Sequence, residues 1–216
     1  MKKLSIIVPY RDRKSHLDEF IPHMERVLSE QNIDFHIYIV HQNDSKGFNR
    51  AKLLNIGFNE SNMSDYFAFH DVDMLPVLSD YSYCEIPTHM ASEAEQFNFK
   101  LPYHEYFGGV TLFNKEDFIR INGYSNDYWG WGAEDDDILL RCKVAKINVG
   151  RRKGRYRSLD HKREIERTLY IKNLEKFNSH KGSEVSKISK EGLSNLSYDI
   201  LNTVSITNRS TMINVK

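Results

Sequence analysis

The sequence predicts an α/β fold whose central sheet is mixed but mostly parallel, with helices on its flanks. Three observations carry that expectation. Apolar runs near the N-terminus are continuous rather than alternating, segments of helical period separate them, and polar clusters close them. Leu4 to Val8 is the first such run, stopped by Pro9. Ser15 and Asp18 have the spacing of a capping box, and Leu17, Phe20, Ile21, Met24, Val27 and Leu28 follow at helical spacing. Phe35 to Val40 reads as the second strand, Asn49 to Phe58 as the second helix, and Tyr66 to Phe69 as a third, short strand. Strand, helix, strand, helix, strand in this order describes a nucleotide-binding α/β half. Further on, Ile138, Leu139, Leu140, Cys142, Val144 and Ala145 carry helical period, and Ile165 to Phe177 is a further helix. Asn178 to Gly192 reads as a mobile loop, and Leu196 to Ile206 with Met212 to Val215 as a closing hairpin. The expected division is a main domain over 1–165, with one half at about 1–80 and the other at about 100–165. Residues 166–216 form an extension of the same domain.

With 216 residues, 40% hydrophobic and 12% aromatic, the chain can bury a full core. Its formal net charge is zero, and no basic stripe points to nucleic acid. Cys84 and Cys142 make neither a zinc spacing nor a disulfide framework, which suits a reducing compartment. The apolar run at the N-terminus is too short for a signal peptide or anchor, so a cytoplasmic protein is expected. The basic stretch Lys146 to Arg157 suggests peripheral contact with the inner membrane surface, and no obligate protein partner is evident.

The most informative segment runs from Tyr128 to Asp137. Trp129 and Trp131, the two tryptophans of the chain, sit among Gly130 and Gly132 and lead into Glu134, Asp135, Asp136 and Asp137. An aromatic plate with open backbone suits the apolar face of a sugar, and the clustered acids suit its hydroxyls. An acidic helix N-terminus is the competing explanation, since carboxylates there favour the helix dipole. That explanation covers one or two acids but not four beside two tryptophans.

The three strand ends carry polar motifs: Pro9 to Arg13, His41 to Arg50, and His70 to Asp73. In such sheets ligands bind beyond the carboxyl ends of the strands. Asp71 and Asp73, two residues apart, offer oxygens to a hard divalent cation whose shell phosphates can complete. Arg11 and Arg13 suit a diphosphate or a uracil, although arginines in a solvated turn are equally common. Asn49 and Arg50, opening a helix, present backbone N–H groups and a guanidinium to the same nucleotide.

Five stretches together resemble the inverting, metal-dependent β-1,4-galactosyltransferases. They are Ile7 to Arg13, Phe48 to Phe58, Asp71 to Asp73, Tyr106 to Val110 and Trp129 to Asp137, in the family's order. The stretches Phe20 to Met24 and His70 to Pro76 look closest to the xylosylprotein galactosyltransferase branch, which also has a His before its Asp-Val-Asp. The resemblance implies a Rossmann-like GT-A fold, a UDP-sugar donor, a glycan acceptor and Mn²⁺. It implies Asp73 as the acidic metal ligand, Asp135 as general base, Asp136 as a grip on acceptor hydroxyls, Glu134 in support, and Trp131 closing over both substrates. Asp137 is left as a helix-turn residue. Tyr106 matches a tyrosine at the sugar pocket whose bulk favours galactose, and Pro9, Arg11, Arg13, Phe48, Arg50 and Asp71 fall among the donor-binding positions. The family completes its metal shell further downstream, where Asp160 and His161 compete, because the xylosylprotein spacing places Ser158 and Asp160 there. The implied activity is transfer of galactose from UDP-galactose to a glycan hydroxyl with a β-1,4 linkage. N-acetylgalactosaminyl or glucosyl transfer, and a catalytically silent UDP-sugar-binding module, are the alternatives.

Overall fold

The first strand, β1 (Lys3–Tyr10), is buried along nearly its whole length in the computed structural model, which describes residues 2–61, 63–160, 165–181 and 190–216. It runs two residues beyond the apolar segment, through Pro9. That is tolerated because pairing on one side ends at Ile7, while Pro9 and Tyr10 pair only with the second strand. The helix α1 (Lys14–Glu30) follows, then β2 (Asp34–Gln42), α2 (Arg50–Glu60) and β3 (Tyr66–His70). The capping box does not form. The helix begins at Lys14, no side chain caps it, and the Asp18 carboxylate takes the Lys14 ammonium at 2.6 Å instead. Asn49 does cap α2, its side chain accepting from the Lys52 N–H at 2.8 Å.

The remaining strands are β4 (Met74–Leu78), β5 (Thr88–His89), β6 (Glu93–Ala94), β7 (Val110–Asn114), β8 (Gly150–Arg151), β9 (Arg155–Ser158), β10 (Ile200–Thr207) and β11 (Ser210–Val215). The helices α3 (Lys115–Arg120), α4 (Glu134–Val144) and α5 (Arg167–His180) lie among them. Among the described residues the main sheet has the order β10-β11-β2-β1-β3-β7-β5-β8, and β4-β9-β6 form a smaller one. Pairing is parallel through β11, β2, β1 and β3 and antiparallel from β3 to β7 to β5, so the sheet is mixed with a parallel centre.

Alternate residues of β1 feed two cores. Leu4, Ile6 and Val8 meet Leu17, Phe20, Met24 and Leu28 of α1 on one face. Ile7 meets Leu54 and Phe58 of α2, Phe118 of α3 and Ile138 of α4 on the other. Each such apolar side chain stabilises the fold by roughly 1.5–3 kcal/mol. Helix α2 lies so close to β1 that a Cβ on Gly57 would come within 2.3 Å of Ile7 Cγ2. The hairpin expected at the C-terminus is present as β10 and β11, and β11 pairs with β2, so it widens the main sheet. Helix α5 runs to His180, into the segment expected to be a loop, most of which lies outside the described residues. Both cysteines are buried and free, and burial pushes each thiol up to about 12. No helix among the described residues is long and apolar enough to cross a membrane.

Candidate active site

The order β2-β1-β3, with α1 and α2 on opposite faces, opens a crevice at the carboxyl ends of these strands. Arg50, the first residue of α2, lies in it with a side chain 12% exposed. Its Nε donates to Asp71 Oδ1 at 2.6 Å, and its Nη1 donates to Asp135 Oδ1 at 2.9 Å and lies 3.7 Å from Glu134 Oε1. One guanidinium thus faces three carboxylates. Burial, opposed by Arg50 and reinforced by Glu134, Asp71 and Asp136, pushes the Asp135 carboxyl up to about 8. Glu134 is also raised, by burial first.

The acids open α4, and all four lie in its first turn, where the helix dipole favours them. They then diverge. Asp135 faces Arg50, whereas Asp136 accepts from the Tyr103 hydroxyl at 2.8 Å. Asp137 is more than a turn residue. It is fully buried, receives Arg141 Nε at 2.8 Å, and lies 2.6 Å from His180 Nδ1, so it ties α4 to α5. The loop ahead of α4 has positive φ at Gly130, Gly132 and Ala133. For Ala133, at φ 75°, this conformation costs about 1–2 kcal/mol. Helix α5 holds the loop: Asn173 Nδ2 donates to the Trp129 and Trp131 carbonyls at 3.0 and 3.3 Å. Trp131, 46% exposed, rests against the Tyr170 ring with centroids 5.4 Å apart.

Tyr106 approaches from the chain before β7, edge-on to His89 at 5.4 Å and to Phe97 at 5.5 Å. Gly108 makes room at this corner for the Asp135 carboxylate and the Tyr106 ring. A Cβ there would stand 2.3 Å from Asp135 Oδ2 and 2.8 Å from the Tyr106 hydroxyl. Beyond β3, the Asp71–Asp73 segment is a turn rather than strand, closed by Met74 N–H to the Asp71 carbonyl at 3.2 Å. The Leu159 N–H donates to the Asp73 carbonyl at 2.8 Å, so the chain entering Asp160 passes beside this turn.

Comparisons with known proteins place the whole chain in a family. Residues 1–85 match the "N-terminal region of glycosyl transferase group 7" and residues 88–163 the "N-terminal domain of galactosyltransferase". Beta-1,4-galactosyltransferase 4 of Mus musculus is 37% identical over 210 residues, 93% of this chain and 60% of that relative. Beta-1,4-galactosyltransferase 1 of Homo sapiens is 38% identical over 208 residues, 92% of this chain and 51% of that relative. The catalytic domain of Drosophila beta1,4-galactosyltransferase 7, solved with xylobiose, superposes with a TM-score of 0.82 at 32% identity, covering 100% of this chain and 94% of that one. The chain belongs to the β-1,4-galactosyltransferase family. A mutant of the same Drosophila enzyme, in complex with manganese, UDP-Gal and xylobiose, has a TM-score of 0.80 at 30% identity, covering 100% of this chain and 94% of that one. The chain spans half to three fifths of the length of these two curated relatives.

The galactosyltransferase motifs do not all meet in one place. Arg50, Asp71, Glu134, Asp135 and, through Gly108, Tyr106 converge. Arg11 and Phe48 form a neighbouring pair, with the guanidinium 5.4 Å from the ring centroid and Arg11 Nη1 donating to the Lys46 carbonyl at 2.7 Å. Pro9 lies in β1 opposite Val40, and Arg13 caps α1 through its carbonyl, which accepts from the Leu17 N–H. The Arg50 guanidinium, expected at the nucleotide, lies among carboxylates that would otherwise repel one another.

For a metal, Asp73 would supply a half-buried carboxylate, and the backbone brings exposed Asp160 close to its turn. His161 lies outside the described residues. Ser158 is not free to take a ligand position, because it is paired with Met74 in the small sheet and its hydroxyl accepts from the Gln96 N–H. Among the described residues no three His, Cys, Asp or Glu side chains are grouped to hold a metal. The donor set is hard oxygen and fits Mn²⁺ or Mg²⁺ with most of the shell supplied by phosphates and water. The basic stretch 146–157 is largely engaged with the protein. Arg151 donates to the His104 and Tyr106 carbonyls and Arg152 to those of Asp80, Ser82 and Tyr83, while Arg155 pairs with Glu93 and Arg157 with Glu19.

Sequence reasoning included Gly108 in the Tyr106 to Val110 stretch without a role of its own, and missed Asn173. Neither carries chemistry itself, and their roles depend on residues 27 and 44 positions away, respectively Asp135 and Trp129. The link from Asp137 to Arg141 was available as an i,i+4 pair of opposite charge.

Proposed function

We propose that this protein is an inverting, metal-dependent glycosyltransferase that moves galactose from UDP-galactose to a glycan hydroxyl, forming a β-1,4 linkage. The observation that carries the reading is the Asp135 carboxylate. One oxygen is held by Arg50, and the other packs into the room that Gly108, lacking a Cβ, leaves beside Tyr106. A base needs a fixed carboxylate with a free oxygen at hydrogen-bond distance from the hydroxyl it deprotonates.

The acceptor oxygen forms a bond to C1 of the α-linked sugar while the bond from C1 to the diphosphate oxygen breaks. The proton passes to Asp135 Oδ2, and UDP leaves. A single displacement converts the α donor into a β product. Asp73, with Asp160 or His161, would hold Mn²⁺, which supplies charge neutralisation at the leaving diphosphate. Asp136 and Tyr103, already hydrogen-bonded to each other, form a polar edge for acceptor hydroxyls. Trp131, with half its surface open, gives an apolar face from which water is excluded when substrates fill the crevice.

The relative solved with manganese, UDP-Gal and xylobiose supports the same donor and suggests a xylose-terminated acceptor as the first probe. The test is a donor panel of UDP-galactose, UDP-N-acetylgalactosamine and UDP-glucose, with and without Mn²⁺ and xylobiose, on the wild type and on Asp135→Asn. Manganese-dependent turnover of UDP-galactose that disappears in Asp135→Asn supports the reading. Turnover equal to a protein-free blank for every donor, with protein shown to be folded, would support the silent module instead.

A further inference from the structure

Behind the Asp71–Asp73 turn lies a buried polar chain that no step above uses. His70, the last residue of β3, is 0% exposed, with its ring edge-on to Phe20 of α1 at 5.0 Å. Its Nδ1 is 2.9 Å from the Asp71 carbonyl oxygen and its Nε2 is 2.8 Å from the Tyr81 hydroxyl. That hydroxyl lies 3.2 Å from the Tyr156 hydroxyl, which lies 2.6 Å from Ser79 Oγ.

The direction of every bond in this chain follows from one fact. A carbonyl oxygen only accepts, so Nδ1 carries the proton. In the neutral ring Nε2 must then accept, so Tyr81 donates to it. Having given its one proton, Tyr81 accepts from Tyr156, and Tyr156 accepts from Ser79. The chain has one consistent polarity, from Ser79 through two phenols to the imidazole and on to the Asp71 carbonyl. Its far end is anchored, because Gln31 at the end of α1 donates to the Ser79 carbonyl at 2.8 Å and accepts from the Tyr81 N–H at 2.9 Å.

We propose that His70 is a positioning residue for the donor's metal site. The hydroxyl chain from Ser79 fixes its tautomer, and its Nδ1–H holds the Asp71 carbonyl so that the turn presents Asp73 to the cation. The argument rests on the reading of Asp73 given above. Besides the Arg50 bond to the Asp71 carboxylate, three sides of the turn's backbone are hydrogen-bonded. His70 and Met74 N–H both reach the Asp71 carbonyl, Asp71 N–H reaches the Gly109 carbonyl at 3.0 Å, and Leu159 N–H reaches the Asp73 carbonyl. Of these bonds to the turn's backbone, the one from His70 comes from a side chain, so it can be removed without altering the backbone. Outer partners of this kind orient a ligand that they do not themselves supply.

The test combines nitrogen NMR of the full chain with electron paramagnetic resonance of Mn²⁺ binding in the presence of UDP, neither of which depends on turnover. The NMR spectrum of the wild type is expected to show His70 neutral and protonated at Nδ1. Tyr81→Phe, which removes one hydroxyl and keeps the ring, is expected to lose that single tautomer. His70→Phe is expected to weaken Mn²⁺ binding about 10- to 100-fold. His70→Asn, whose amide nitrogen can stand where Nδ1 stood, is expected to recover most of the loss. A wild-type ring protonated at Nε2, or a folded His70→Phe that binds Mn²⁺ as the wild type does, overturns the proposal. If His70→Phe does not fold, the tautomer measurement and His70→Asn decide the matter. A wild type that binds no Mn²⁺ with UDP overturns the functional reading instead, while the tautomer still reports on the relay.

Discussion

Arg50 Nη1 lies 2.9 Å from Asp135 Oδ1, joining the first residue of α2 to the first turn of α4 across 85 positions of sequence. The same guanidinium holds Asp71 at the end of β3. The donor side and the acceptor side of the crevice therefore share one cation. Burial, with the neighbouring carboxylates, outweighs that cation and leaves the Asp135 carboxyl raised.

Asp135→Asn is expected to abolish the proposed transfer, with a loss of about 10²–10⁴-fold in kcat for removal of a general base. The same change is expected to stabilise the ligand-free protein. A carboxyl whose folded pKa is raised to about 8 binds its proton more tightly when folded, so it lowers stability as pH rises from its unfolded value towards 8. The variant should therefore melt a few degrees higher than the wild type at pH 8.5, and the difference should vanish near pH 4. Equal melting temperatures at both pH values would contradict the strained carboxylate.

Removing the shared cation should shift the acid limb of kcat/KM. Arg50 holds the Asp135 pKa down against burial, so Arg50→Met should move the limb to higher pH. A pH–rate profile of the two proteins measures this, and an unmoved or acid-shifted limb would show that Arg50 does not act on the base.

Gly108→Ala adds a methyl group 2.3 Å from Asp135 Oδ2 and should lower kcat by about 10²-fold, the size of effect that a displacement of about 1 Å produces. Circular dichroism should remain that of the wild type. A variant of wild-type kcat would mean that the free Asp135 oxygen is not where the acceptor proton goes.

Tyr106→Leu should enlarge the sugar pocket and raise the use of UDP-N-acetylgalactosamine relative to UDP-galactose. Tyr106 packs with Asp135 at Gly108, so in the proposed transfer its ring would border the donor sugar. The measurement is the ratio of kcat/KM for the two donors, and an unchanged ratio would remove Tyr106 from the pocket.

The parallel centre of the sheet was legible because a strand buried on both faces must be apolar throughout, as Leu4 to Val8 is. The strand ends were legible for the same reason, since polarity returns only where burial stops. What depended on distant chain was not legible. Ser15 and Asp18 have the spacing of a cap, yet Lys14 lies one turn from Asp18 and takes its carboxylate. Arg50 has the chemistry to bind phosphate, and only the approach of α4 shows which carboxylates it meets first. The four acids after Trp131 looked like one cluster, but helical rotation distributes them. Asp135 turns to the crevice, Asp136 to Tyr103 and Asp137 to the core.

The stereochemistry of the first turnovers tests the central claim most directly. Proton NMR of the product formed from UDP-galactose and a xylose-terminated acceptor, with Mn²⁺ present, reads the new anomeric centre before any equilibration. A single displacement with Asp135 as base predicts a β-linked galactoside in the wild type and no product from Asp135→Asn. An α-linked product, or a β-linked product formed equally well by Asp135→Asn, would contradict it.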